Sequence, residues 1–230
     1  MDASVKGLIF DYGGTIDTNG VHWSEVIWDE YIASGIPVTR EEFREAYVYV
    51  ERMLGSTPMI LPENTFREVL NIKINLQFEK FGLAGDAKSI AENCYIKTIH
   101  IINRAKETLE VLSDHFPMIL VSNFYGNIRT VLDEFDLAKY FREIIESAEV
   151  GIRKPDPEIY RLAIEKFGLT PQEVIIIGDS YKNDITPANI LECRSIWLKG
   201  KGWDNKDDSL EHPYIIRDFS KLKSLLLEEI

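Results

Sequence analysis

Cysteine is scarce in this chain, with two residues among 230. Cys94 and Cys193 lie far apart and form no C-x-x-C pair. Two isolated thiols are typical of a protein in a reducing compartment, and we expect both to be buried and unreactive.

Long apolar segments are also lacking. The first residues show no basic stretch followed by an apolar run, so no signal peptide is predicted. No window approaches the roughly 18 apolar residues of a membrane span. These absences favour a cytoplasmic enzyme or binding protein without a membrane partner.

Positive charge is in deficit, since 26 Lys and Arg stand against 38 Asp and Glu, for a net charge of −12. No basic stripe is visible, so a nucleic-acid partner is not expected. The deficit does not exclude an anionic substrate, provided that a cation or local hydrogen-bond donors neutralise its site.

The stretch around position 10 is the first informative feature. Residues 8–10 form a short apolar run between glycines, which predicts a buried strand of a parallel sheet. Asp11 follows directly, and Gly13 and Gly14 allow the backbone to turn sharply beside a ligand. Asp11 is therefore expected at the carboxyl end of a strand, where open α/β sheets bind their ligands. The alternative is an aspartate that only caps a turn.

A long helical region follows this strand. Apolar periodicity predicts four helices between residues 18 and 103, with a capping box at Thr39 and a stop at Gly82. No strand-like run interrupts them. We interpret residues 18–103 as an all-helical unit inserted after the first strand, with natural hinges near residues 18–20 and near Asn103.

Strand–helix alternation resumes after residue 104, with a helix beginning near Ala105. An amphipathic helix over residues 219–230 is expected to pack on the sheet edge. The fold class is therefore α/β: a Rossmann-like, doubly wound parallel sheet with an inserted all-helical cap. The core comprises residues 1–17 and 104–230, and the cap residues 18–103. Four further strands are predicted, at residues 117–121, 144–147, 174–177 and 195–198.

Polar residues stand where the buried runs end or in the loops that follow them. Because the carboxyl ends of parallel strands face one crevice, we expect these residues to converge there. They are Asp11, Ser122, Asn123, Lys154, Asp179 and Asp184.

This group of residues suits one kind of chemistry. Neighbouring carboxylates repel, and Mg²⁺, which prefers oxygen ligands, removes that repulsion. Lys154 and the Ser122 hydroxyl suit phosphoryl oxygens. Asp11 then suits a nucleophile that forms an aspartyl-phosphate. The alternative is a structural acidic cluster bridged to a surface lysine.

Four segments at these positions resemble the four motifs of the haloacid dehalogenase-like (HAD) hydrolase superfamily. They occur in the family's order and span the predicted core, and the helical insert resembles the C1 cap of subfamily I. The segments are Asp11-Tyr12-Gly13-Gly14-Thr15, Val121-Ser122-Asn123, Lys154-Pro155, and Gly178-Asp179-Ser180 through Asn183-Asp184.

The resemblance implies a metal site and a nucleophile. Asp11 would be both the nucleophile and a Mg²⁺ ligand. The Gly13 carbonyl and Asp179 would be further ligands, and Asp184 would support the metal site.

It also implies a phosphoryl-binding site. Ser122, Asn123 and Lys154 would bind the phosphoryl group, and Lys154 would also steady Asp11. Thr15 would lie in the turn after the nucleophile. The substrate would be a small phosphorylated metabolite.

The chain departs from the family pattern at Gly13. The phosphatases of the family carry a second aspartate there, which protonates the leaving group and then activates water. General acid–base assistance is typically worth about 10² to 10⁴ in rate. We therefore expect weak phosphatase activity, or activity limited to good leaving groups. Asp17 is the nearest substitute, but a contact within the turn is the favoured role for it.

Two other functions remain open. A binding or regulatory protein that retains the fold without turnover is favoured by Gly13. A 2-haloacid dehalogenase is disfavoured, since the family dehalogenases place a tyrosine two residues after the nucleophile, whereas Tyr12 comes one residue after Asp11. Arg52 is a candidate for binding a second anionic group, and His22 for facing the crevice. Substrate identity and oligomeric state are left open.

Overall fold

The computed structural model describes residues 4–83, 85–203, 207 and 209–229. Its centre is one parallel sheet with strand order β3-β2-β1-β4-β5-β6. The strands are β1 (Gly7–Phe10), β2 (Met118–Ser122), β3 (Glu143–Glu146), β4 (Val174–Gly178), β5 (Arg194–Leu198) and β6 (Ile215–Ile216).

Strand β1 lies in the middle of the sheet, and its last residue determines where the site is built. Phe10 is level with Leu120 on one side and with Ile177 on the other. The strand order reverses beside β1, and this is the switch point at which open α/β sheets bind ligands. Side chains of β1 alternate between two buried clusters, with Phe10 in one and Ile9 in the other. The sheet is therefore covered on both faces, as predicted for a doubly wound fold.

Helices occupy the long interval between β1 and β2, the intervals from β2 to β5, and the segment after β6. They are α1 (Trp23–Ala33), α2 (Arg40–Ser56), α3 (Phe66–Phe81), α4 (Ala87–Ser113), α5 (Ile128–Glu134), α6 (Ser147–Val150), α7 (Glu158–Phe167), α8 (Thr186–Ile190) and α9 (Leu222–Ser224).

Local sequence signals account for the ends of the inserted helices. Thr39 accepts a hydrogen bond from the Glu42 backbone and Glu42 reaches back, which is the predicted capping box. Helix α3 ends at Gly82, whose φ of 63° is the left-handed conformation favoured at helix ends.

The predicted break near Asn103 is wrong, because α4 continues from residue 87 to residue 113. No glycine or proline interrupts residues 99–108, and the buried stripe runs through Ile102, Ala105 and Leu109. A hinge near Asn103 would have to bend a continuous helix. The boundary between residues 103 and 104 remains a prediction.

The C-terminal part differs from the predictions in detail. Strand β6 was not predicted, since two residues carry no readable period. The predicted terminal helix is a helical segment in three short pieces over Phe219–Glu229, with Phe219 and Leu222 buried in the core. Ile230 lies outside the described residues. No helix among the described residues is both long and apolar enough to cross a membrane.

Candidate active site

The polar residues at the carboxyl ends of the strands line one cavity of about 240 Å³ between the sheet and the inserted helices. Asp11 directly follows strand β1, Ser122 is the last residue of β2, and Asp179 directly follows β4. The structure thus brings together the residues predicted for the nucleophile, the metal site and the phosphoryl site, which are Asp11, Gly13, Ser122, Asn123, Lys154, Asp179 and Asp184.

Three carboxylates form the floor of this cavity. One oxygen from each of Asp11, Asp179 and Asp184 lies within 4.8 Å of the others. Burial, followed by repulsion from Asp184, raises the pKa of Asp11 to about 6 against the attraction of Lys154. Burial and the charge of Asp11 raise the pKa of Asp179. The protein alone therefore disfavours full ionisation of the cluster, and this donor set fits a hard divalent cation.

Two glycines allow these carboxylates to approach the backbone. A Cβ atom at Gly14, whose φ is 98°, would lie 2.4 Å from an Asp179 oxygen. A Cβ atom at Gly178 would lie 2.3 Å from an Asp184 oxygen. Because such contacts are not possible, both positions require glycine for the cluster to form.

Lys154 joins two of the carboxylates. Its buried Nζ donates to Asp11 Oδ1, and it lies 2.9 Å from Asp184 Oδ1. Asp184 also accepts from the Tyr160 hydroxyl at 2.7 Å and from the Ser180 backbone at 3.0 Å. Burial alone would lower the pKa of Lys154, but Asp11 and Asp184 raise it above its usual value. Lys154 is therefore a fixed positive charge beside Asp11.

Thr15 does more than occupy the turn. Its hydroxyl lies 2.8 Å from Asp11 Oδ2 and accepts from the Asp179 backbone N–H at 3.0 Å. It therefore links the turn after β1 to the turn after β4. The sequence offers a signal for this role only through the resemblance, because a threonine four residues after an aspartate is otherwise unremarkable.

Asn123 is positioned differently from the expectation. Its side-chain amide donates to the Lys154 carbonyl at 3.0 Å and accepts from the Lys154 N–H at 2.9 Å. Both polar atoms of the amide thus hold the loop that carries Lys154. Ser122 is buried at the end of β2 and lines the cavity.

Gly13 lies open at the edge of the cavity. A Cβ atom there would meet nothing within 4 Å, and its φ is not among the positive values. Its carbonyl receives no backbone hydrogen bond from the described residues. The role of metal ligand that the resemblance implies for this carbonyl remains a prediction.

Asp17 is buried behind the turn and does not line the cavity. It accepts from the Gly14 N–H at 2.7 Å and from the Trp23 indole N–H at 2.8 Å. Burial raises its pKa to about 7. The favoured prediction of a contact within the turn is confirmed, and Asp17 is not placed to replace the missing acid.

The wall opposite the carboxylates comes from the inserted helices. His22 lines the cavity, as considered from the sequence, whereas exposed Arg52 lines a separate groove with Lys80. Arg52 is therefore not placed to bind a second anionic group in this cavity. The charged residues of the inserted helices that do line the cavity are Lys73 and Glu51.

Sequence reasoning missed Lys73, although a signal was present. The buried stripe of α3 includes Phe66, Val69, Leu70 and Ile74, and Lys73 falls within it. A lysine on the apolar face of a helix predicts a buried charge with a partner.

The fold and this site define an α/β protein with an acidic centre at the switch point of its sheet, covered by inserted helices. A family model for haloacid dehalogenase-like hydrolases matches residues 5–189. The chain therefore belongs to the haloacid dehalogenase-like hydrolases.

Individual relatives agree with this assignment. The chain is 24% identical over 229 residues to a phosphoglycolate phosphatase of Photorhabdus laumondii, covering 96% of this chain and 92% of the relative. A dehalogenase solved with an intermediate superposes with a TM-score of 0.64 at 17% identity, covering 98% and 99% of the two chains. The HAD-hydrolase YfnB of Bacillus subtilis, bound to magnesium, gives 0.58 at 19% identity, covering 97% and 99%. At these identities the two structures show the shared fold.

Proposed function

We propose that this chain is a metal-dependent phosphatase acting on a small phosphorylated substrate through an aspartyl-phosphate on Asp11. The observation that carries the proposal is the contact of one buried lysine, Lys154, with Asp11 and Asp184, beside Asp179 in one cavity. The phosphoglycolate phosphatase relative supports a phosphate monoester as substrate.

Each residue of the site has its own role in the proposed reaction. An Asp11 carboxylate oxygen attacks phosphorus, and the P–O ester bond breaks so that the leaving oxygen departs as an alkoxide or phenolate and takes its proton from water. A water molecule then cleaves the aspartyl-phosphate, which releases inorganic phosphate and regenerates Asp11. Lys154 and Ser122 bind the phosphoryl oxygens, and Asn123 holds the Lys154 loop. Mg²⁺ held by Asp11, Asp179 and the Gly13 carbonyl, with Asp184 beside them, would neutralise charge on the phosphoryl group.

The absence of a carboxylate at Gly13 limits the reaction. Neither Gly13 nor the buried Asp17 supplies a proton to the leaving group. We therefore propose weak activity or a preference for good leaving groups. The cavity of about 240 Å³ is smaller than the roughly 300 Å³ at which pockets for drug-sized ligands begin, so the substrate is small.

The second candidate is a binding or regulatory protein, and the open position at Gly13 favours it. A dehalogenase role is less favoured, because Tyr12 is fully buried and lies outside the cavity lining. A cytoplasmic location and the absence of a nucleic-acid partner remain predictions from composition.

The test is turnover of acetyl phosphate and para-nitrophenyl phosphate with and without Mg²⁺, with Asp11→Asn as the matched control. Metal-dependent phosphate release that is lost in Asp11→Asn supports the proposal. Binding of Mg²⁺ and inorganic phosphate without turnover would favour the second candidate. Halide release from chloropropionate in the presence of EDTA would favour a dehalogenase.

A further inference from the structure

A closed ring of three polar side chains lines the same cavity as the carboxylates. Lys73 Nζ donates to the Tyr125 hydroxyl at 3.2 Å, and Tyr125 donates to Glu51 Oε2 at 2.6 Å. Glu51 Oε1 lies 2.5 Å from Lys73 Nζ. The ring joins α2 and α3 of the insert to the segment that follows Ser122, so it belongs to the cavity wall whenever the insert covers the site.

Lys73 has capacity left after these contacts. An ammonium group carries three protons, and the ring uses two of them. The side chain is buried, and although burial lowers its pKa, Glu51 and Tyr47 raise it above the usual value. Lys73 is therefore charged, and it lines the cavity beside the Tyr47 and Tyr125 rings.

Arg153 is the second cation of this wall. It directly precedes Lys154 and lines the same cavity. Arg153 is exposed where it lines the cavity, its hydrogen bond to the Ser147 hydroxyl is long at 3.4 Å, and no described carboxylate forms an ion pair with it. Its charge acts on the Tyr125 hydroxyl, which also touches Lys73. Both cations therefore line the same cavity.

The charges on this wall do not cancel. Glu51 balances Lys73 through their ion pair, which leaves the charge of Arg153 uncompensated. His22 adds no charge at neutral pH, since burial lowers its pKa. A neutral group placed here would give the Lys73 ammonium and the Arg153 guanidinium no anionic partner. An anionic group would satisfy both.

We propose that Lys73 and Arg153 select substrates that carry a carboxylate in addition to the phosphoryl group. This inference rests on the proposed function, because it assumes that the phosphoryl group occupies the Asp11 end. It moves the second anion site from Arg52, where the sequence placed it, to Lys73 and Arg153 in the catalytic cavity. Arg153 and Lys154, adjacent in the chain, then bind opposite ends of the same substrate.

The experiment uses a pair of ligands that cannot be hydrolysed at phosphorus, so that it does not depend on turnover. Phosphonopropionate, in which a methylene replaces the ester oxygen, is compared with its neutral carboxamide by calorimetric titration in Mg²⁺. The proteins are wild type, Arg153→Gln and the double variant Lys73→Met/Glu51→Gln, which avoids leaving Glu51 buried without its partner. Arg52→Gln, an exposed arginine on the same insert outside the cavity, is the matched control.

Wild type and Arg52→Gln are expected to bind the carboxylate more tightly than the carboxamide, and Arg153→Gln to lose about tenfold of that preference, the scale of one charged hydrogen bond. The double variant should lose a similar factor. Equal affinity for the two ligands in wild type, an unchanged preference in both variants, or no binding of either ligand would overturn the inference. Selective binding without turnover of any phosphate would instead refute the proposed function and leave this inference standing.

Discussion

Replacing Gly13 by aspartate tests the reasoning about the missing acid. The substitution adds one carboxylate at the cavity edge, at the position where the family's phosphatases carry their acid. The structure accepts it, since a Cβ atom at Gly13 meets nothing within 4 Å and the residue has no positive φ. The backbone therefore needs no adjustment, unlike at Gly14, where a Cβ atom would collide with Asp179.

The size of the effect depends on the leaving group. Proton donation is worth about 10² to 10⁴ in rate when the leaving group is a poor one. The new carboxylate would stand near Asp11 and Asp179, and repulsion from them would raise its pKa and help it to hold a proton. We expect kcat/KM for alkyl phosphates to rise about 10²-fold or more in Gly13→Asp. Aryl and acyl phosphates, whose leaving groups need little protonation, should change far less.

The assay is a leaving-group series of alkyl, aryl and acyl phosphates in Mg²⁺, with Gly13→Asn as the matched control. Asparagine has the same shape and cannot transfer a proton in this way, so it should leave the series unchanged. Equal rates of wild type on alkyl and aryl phosphates would refute the argument. So would a folded Gly13→Asp protein that gains no more on alkyl phosphates than Gly13→Asn.

Three further predictions concern the buried charges. Asp17 has a pKa of about 7 against 3.8 unfolded, so the stability that it contributes is complete below 3.8 and is lost as the pH rises through about 7. The difference between the two pKa values corresponds to roughly 4 kcal/mol of stability. In Asp17→Asn the free energy of unfolding, measured in urea, should therefore fall less steeply with pH over this range. A dependence on pH as steep as that of wild type would contradict this prediction. Lys154→Met should lower kcat by about 10² to 10³, while Lys154→Arg retains more activity, and equal losses would show that charge is not the property that matters. Mg²⁺ should raise the Tm, with an affinity that increases as the pH rises through about 6, because Asp11 must lose its proton to bind it; an affinity independent of pH would count against Asp11 as a ligand.

The segments that build the site were predictable because their signals are local. Each buried strand is a short apolar run, and the polar residue after it marks the carboxyl end. Parallel topology then brings Asp11 and Asp179 to one edge although 167 positions separate them along the chain. The capping box at Thr39 was readable for the same reason, since all of its partners lie within one turn.

The features that escaped prediction depend on contacts between distant segments. The pairing of Asn123 with the Lys154 backbone needs two loops to meet. The Glu51–Lys73–Tyr125 ring forms only where three separate elements meet, so no local pattern predicts it. Arg52, which the sequence offers as a cation of the insert, is exposed and lines a separate groove. The continuity of α4 does have a local signal, the unbroken apolar stripe through Ala105, but a junction between insert and core near residue 103 predicts a break there.

The most direct test of the account is rapid-quench mass spectrometry of the protein mixed with acetyl phosphate and Mg²⁺. The account predicts a transient phosphoryl adduct on the peptide that contains Asp11, which is absent in Asp11→Asn. An adduct on a different residue, or undiminished phosphate release by Asp11→Asn, would contradict it.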